Sequence, residues 1–112
     1  MYSDDQRLRF EHIVENVDKI SAYIDGLSFK EYSASPMIVD AVERCLARIT
    51  EAAIKIGPEG LKHAAPEQPF DQIRGLGNIL RHAYDIVDPD IVWRTVKEKL
   101  PALRDACARS LG

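Results

Sequence analysis

The chain has 112 residues, 46% of them hydrophobic and 29% charged, which suffices for one core and leaves no length for another, so residues 1–112 read as a single domain. A formal charge of −3 excludes bulk electrostatic attraction to nucleic acid and leaves open only a local basic patch. No basic-then-apolar leader follows Met1 and no apolar run approaches the ~20 residues that cross a bilayer, so a cytoplasmic protein without a membrane partner is expected.

The first periodic segment runs from about Ser3 to Asp25. Phe10, Ile13, Val17, Ile20 and Ile24 recur at three- and four-residue steps, as one face of a helix requires. Ser3 suits the N-cap, Asp4 and Asp5 favour the first turn, and Gly26 stops the helix. A polar stretch follows through Ser35, in which Phe29 and Tyr32 are expected to cap the bundle end. Pro36 then opens a second helix with Ile38, Val42, Cys45, Ile49, Ala53 and Ile56 on one face. From Gly57 to Pro69 three prolines and two glycines predict a loop. A third helix is expected from Phe70 to about Asp85. Asp88 and Pro89 form an N-cap and N1 pair for a fourth, which carries Val92, Val96, Leu100, Leu103 and Cys107 and should kink or break at Pro101. No segment alternates with period two, so the fold expected is all-α: an antiparallel bundle of four helices, or five if the last divides.

The third helix concentrates the chemistry. At about 100° per residue, Ile73, Leu76, Ile79, Leu80 and Ala83 gather toward the core, and Arg74, Asn78, Arg81, His82 and Asp85 gather opposite. Gly75 and Gly77 lie on the borders. Each costs a helix roughly 1 kcal/mol relative to alanine, which predicts close approach by a second subunit or a ligand, or else local irregularity. His82 exchanges a proton near neutral pH, and Arg74 and Arg81 suit bidentate contact with phosphate. Asn78, one turn before His82, is placed to orient it or to touch substrate. Arg with His, and no metal-ligand spacing, fits phosphodiester cleavage by the ribose 2′-hydroxyl. The residues alone equally allow a solvated face, with Arg74 and Arg81 paired to Asp71 or Asp85.

Ile73-Arg74-Gly75-Leu76-Gly77-Asn78-Ile79-Leu80-Arg81-His82-Ala83-Tyr84 resembles the signature of the HepT-like toxins of the HEPN superfamily of helical ribonucleases. Asp85 through Trp93 and Leu100-Pro101 resemble that family's passage into and along its last helix. In the family an Arg precedes a His by four to six residues, with Asn after the Arg and Tyr two beyond the His. Asn78, His82 and Tyr84 match position by position, whereas Gly77 stands where the Arg is expected, flanked by Arg74 and Arg81. The chain therefore resembles a Gly-Asn variant of the motif. The resemblance implies a homodimer that joins two motifs at a cleft and acts on RNA. It also implies a minimal nucleotidyltransferase antitoxin as partner, which adenylylates the motif tyrosine, here Tyr84; an edge aromatic is the plainer reading of that residue.

Other residues point elsewhere. His12 and His63 are expected to be solvent-exposed, Trp93 to serve core or interface, and Cys45 and Cys107 to be buried thiols. With no Glu-x-x-His pair, phosphate loop, catalytic triad or zinc spacing, neither metal nor cofactor is expected. The leading expectation is a metal-independent RNA endonuclease toxin. Its rivals are a non-catalytic dimer that binds a nucleotidyltransferase and a bundle that binds a nucleotide.

Overall fold

A computed structural model describes residues 2–112, the Tyr84 side chain excepted, and these form helices without strands. In chain order they are α1 (Asp4–Ile24), α2 (Phe29–Ser33), α3 (Pro36–Ile56), α4 (Pro58–Ala64), α5 (Phe70–His82), a 3-10 turn (Tyr84–Ile86), α6 (Pro89–Glu98) and α7 (Leu100–Leu111). The four expected segments are all present. Two short helices, α2 and α4, are added, and the fourth segment divides into α6 and α7.

Local chemistry sets the boundaries. Ser3 accepts from the Gln6 amide while the Gln6 side chain accepts from the Ser3 amide, a reciprocal cap at the start of α1. Ser28 and Glu31 repeat the device on α2, a helix hidden in what reads as a polar stretch. The bonded Ser28 groups hold the Glu31 carboxyl below its ordinary pKa. Ser35 caps α3, whose first residue is Pro36. Gly57 ends α3 at φ +91°, a left-handed conformation that favours glycine, and Pro58 at once begins α4. The expected loop from Gly57 to Pro69 is thus helical over half its length. Proline there starts a helix instead of preventing one. Pro101 acts likewise: it sits in the first turn of α7, and the break falls before it at Lys99.

The bundle is antiparallel. Gln6, at the start of α1, donates to the Ile56 carbonyl at the end of α3, and Arg7 donates to the Leu111 carbonyl at the end of α7. Deeper along the same pair, Arg104 of α7 grips Asp18 of α1 at 3.0 and 3.3 Å. Phe10, Ile13, Val17, Ile20 and Ile24 are all buried, as their spacing predicts. They meet Val42, Cys45, Leu46, Ile49, Ala53 and Ile56 of α3, then Leu103 and Cys107 of α7. Each such large side chain adds roughly 1.5–3 kcal/mol of burial free energy. Both cysteines are buried free thiols. Tyr32, fully buried, lies 5.1 Å from the Trp93 ring and Phe29 lies 6.0 Å from it, so this aromatic group closes one end between α2 and α6. Among the described residues no helix is long and apolar enough to cross a membrane.

Candidate active site

α5 packs chiefly on α3, with side chains that are half-buried at most. Ile73, Leu76 and Leu80 are half-buried against the core, as expected, but Ile79 is 40% exposed. The sole fully buried position of α5 is Gly77. A Cβ there would lie 2.7 Å from Thr50 Oγ1 and 2.9 Å from Thr50 Cβ, so glycine lets the α5 backbone settle on α3. Close approach is therefore real at Gly77, but its occupant belongs to the same chain. At Gly75 a Cβ would meet nothing within 4 Å.

The helix ends earlier than its periodicity implies. His82 is its last residue, Ala83 is the C-cap, and Tyr84 and Asp85 fall in the 3-10 turn. The expected position of Tyr84 at the edge of the site concerns a side chain outside the described residues.

Two motif residues converge at a cleft. Arg81 and His82 line an open cavity of about 720 Å³ together with His12 and Lys19 of α1 and Arg44 and Arg48 of α3. Arg81 donates from Nη1 to Glu51 Oε2 at 3.2 Å and from Nη2 to Asn78 Oδ1 at 2.9 Å. Asn78 thus orients Arg81, in place of the expected contact with His82 or with substrate. Arg74 is not among the cleft residues; it pairs with Asp71 at 3.3 Å on an exposed turn, the plain surface pairing that the residues alone allow. His82 is exposed and free to meet a ligand.

The other walls were not anticipated. His12, expected in solvent, is half-buried and faces the cleft. His12 and Lys19 lie seven residues apart on one face of α1, and Arg44 and Arg48 one turn apart on α3. Among the described residues Lys19, Arg44 and Arg48 make no salt bridge, and the cleft's one acidic side chain, Glu51, is shared by Arg81 and Lys55. A chain of net charge −3 therefore carries a cationic groove. The signal was present as cationic positions on the polar faces of two helices, but the pairing of those faces exists only in the fold. His63 lies outside the cleft, exposed and edge-on to Tyr2 at 5.8 Å. No three His, Cys, Asp or Glu side chains are grouped as metal ligands among the described residues.

Comparison with known proteins agrees with this picture. Residues 13–110 match the HepT-like ribonuclease family. A Methanocaldococcus jannaschii protein provisionally named RNase MJ1216 is 34% identical over 92 residues, covering 82% of this chain and 75% of the relative. The protein named "Probable ribonuclease HepT" of Thermococcus cleftensis is 33% identical over 94 residues, covering 84% of each chain. No solved structure matches the chain. An all-helical bundle, an Asn-x-x-x-His-x-Tyr motif in the sequence whose His82 lines a cationic cleft, and a match over most of its length lead to one conclusion: the chain belongs to the HepT-like ribonuclease family, a family of RNA endonucleases.

Proposed function

We propose that the protein is the toxin of a HepT and nucleotidyltransferase pair, cleaving RNA as a homodimer without metal. The observation that carries this reading is the meeting of Arg81 and His82 at a groove also lined by Lys19, Arg44 and Arg48, which make no salt bridge among the described residues. The ribose 2′-oxygen attacks the adjacent phosphorus, the bond to the 5′-oxygen breaks, and a 2′,3′-cyclic phosphate and a 5′-hydroxyl result. His82 carries a proton in this exchange, and Arg81 stabilises the charge that gathers on phosphorus. Arg81 is favoured over Arg74 for that role because it lines the cleft and Arg74 does not. Asn78 holds the guanidinium in place.

Gly75, open on its outer side, and the exposed Ile79, Ile86 and Ile91 support a dimer contact along α5 and the segment after it. Light scattering should then report about twice the 12.6 kDa chain mass. Tyr84, two residues beyond His82, is the proposed adenylylation site of the antitoxin. Intact-mass analysis after incubation with the nucleotidyltransferase and ATP should show one adenylate, absent from Tyr84→Phe.

The deciding experiment incubates purified, unmodified, antitoxin-free protein with total RNA in EDTA. Cleavage by the parent and its loss by ~10²-fold or more in His82→Ala support the nuclease reading. An inert parent favours a non-catalytic dimer that binds the nucleotidyltransferase, a reading supported by Gly77 at the motif arginine place and by the engagement of Arg81 with Glu51.

A further inference from the structure

The cationic groove has a direction, set by the register of the two antiparallel helices that wall it. The 3.2 Å bond from Gln6 Nε2 to the Ile56 carbonyl fixes that register. Lys19 stands thirteen residues beyond Gln6 on α1, and Arg44 stands twelve before Ile56 on α3. At about 1.5 Å per residue each lies roughly 18–20 Å along its helix, so the two cations share one level of the groove they line. Arg81 is bonded to Glu51, and Arg44 lies about 10 Å from that level along α3, with Arg48 between, about 6 Å from Arg44. The cations therefore form a row that leads away from the motif end of α5, in steps comparable with the separation of neighbouring phosphates in an extended strand. Acidic side chains stand clear of it. Asp18, next to Lys19, is held by Arg104 of α7, and Glu51 is neutralised by Arg81 and Lys55. Ala47, Ala52 and the buried Asn16 keep the groove open between the cations. Among the described residues no Phe, Tyr or Trp lines it, so it offers charge without a stacking platform.

We propose that the groove between α1 and α3 is a phosphate track for single-stranded RNA. The strand leading away from the motif lays one phosphate on Arg48 and the next between Arg44 and Lys19, outside the scissile position. The ligand rests on the nuclease reading above. Guanidinium groups suit the track because each can meet a phosphate through two parallel charge-assisted bonds. With backbone contacts and no base stacking, the track adds affinity and register but carries no sequence preference. A chain of net charge −3 thereby draws RNA to one groove and not to its whole surface.

The test measures fluorescence anisotropy of a labelled single-stranded oligoribonucleotide that carries 2′-O-methyl groups throughout and so resists cleavage. Titrations over a range of salt compare the parent, Arg48→Gln, and the triple variant Lys19→Gln, Arg44→Gln, Arg48→Gln. A control loses the same charge at exposed positions outside the groove: Lys30→Gln, Lys62→Gln, Lys99→Gln. The three groove cations are exposed, so circular dichroism should show the parental fold in every variant. Arg48→Gln should lower the slope of log Kd against log salt by ~0.7 and the triple variant by ~1.4, the loss of one and two phosphate contacts. The losses should agree within ~2-fold among uridylate, adenylate and cytidylate oligomers. An equal change in the control shows diffuse attraction and overturns the track, and a loss confined to one base overturns its phosphate character. A parent that binds no RNA also overturns it; if the triple variant then fails to bind the nucleotidyltransferase, an acidic protein surface takes the groove instead. Unmodified RNA separates this proposal from the nuclease reading. A parent that shows the expected slopes but does not cleave keeps the track and removes the nuclease, whereas cleavage with the slope unaltered in the triple variant does the reverse.

Discussion

α1 and α5 lie against the same helix, α3, in opposite ways. α1 sends a large apolar side chain into the seam at every turn and buries all five. α5 brings half-buried side chains and one buried glycine, fastened at its end by the bond from Arg81 to Glu51. The first seam holds the fold; the second positions a polar face over a groove. Substitutions at the buried positions of α1 and α3 should therefore register as stability, and those on the polar face of α5 as activity or dimerisation, at nearly constant stability.

The sharpest way to break this contrast is at the centre of the first seam. Ile49→Ala should cost about 2–5 kcal/mol in urea unfolding, since Ile49 is 1% exposed and its removal leaves a cavity. In the second seam Arg81→Ala should lose on the order of 10²–10³ in cleavage rate, whereas Arg74→Ala, on its exposed pair with Asp71, should stay within a few-fold. The reverse order would give the phosphate to Arg74. Gly77→Ala falls between the two classes. Its methyl would overlap Thr50, so α5 must lift, and about 1–3 kcal/mol of stability should be lost together with activity. Adding Thr50→Ala removes the 2.7 Å contact but leaves the one at 2.9 Å, so part of the loss should return.

Alkali probes the first seam by another route. Burial, with Glu43 nearby, raises the Tyr32 hydroxyl from 10.0 to about 12, and burial raises the Cys107 thiol from 9.0 to about 12. The folded chain keeps these protons after the unfolded chain has lost them, so ionisation favours unfolding. Their stabilisation is intact below pH 9 and declines between pH 9 and 12, which thermal melts across that range should show. The smallest effect is at Gly75. With open space beyond it, Gly75→Ala should stabilise α5 by up to ~1 kcal/mol and weaken the dimer if a second subunit lies there. Melting temperature and scattering mass, measured together, separate the two effects.

The first seam was legible in the sequence because its period is regular: Phe10 to Ile24 and Val42 to Ile56 each mark one face, and both faces are buried. The motif on α5 was equally legible, as was the break before α7. What escaped notice depends on neighbours. Ile79 has helical spacing but no helix opposite it, so it remains exposed. α4 was hidden because proline and glycine open and close helices as readily as they interrupt them. His12 looked solvated because the helix that completes its environment, α3, begins more than twenty residues later. The contact that explains Gly77 is likewise a threonine 27 positions earlier in the chain, beyond any local pattern.

Gly77 also limits what this chain can become. It holds the place where the signature that this stretch resembles has arginine, and any side chain there must first displace Thr50. A single change to arginine would cost α5 its seat before a new guanidinium could serve. An intermediate with a smaller residue at Thr50 would have to come first, with no catalytic gain of its own. The two positions are thus coupled: whatever residue 77 is to carry, residue 50 must first make room for it, and the one α5 arginine that lines the cleft as it stands is Arg81.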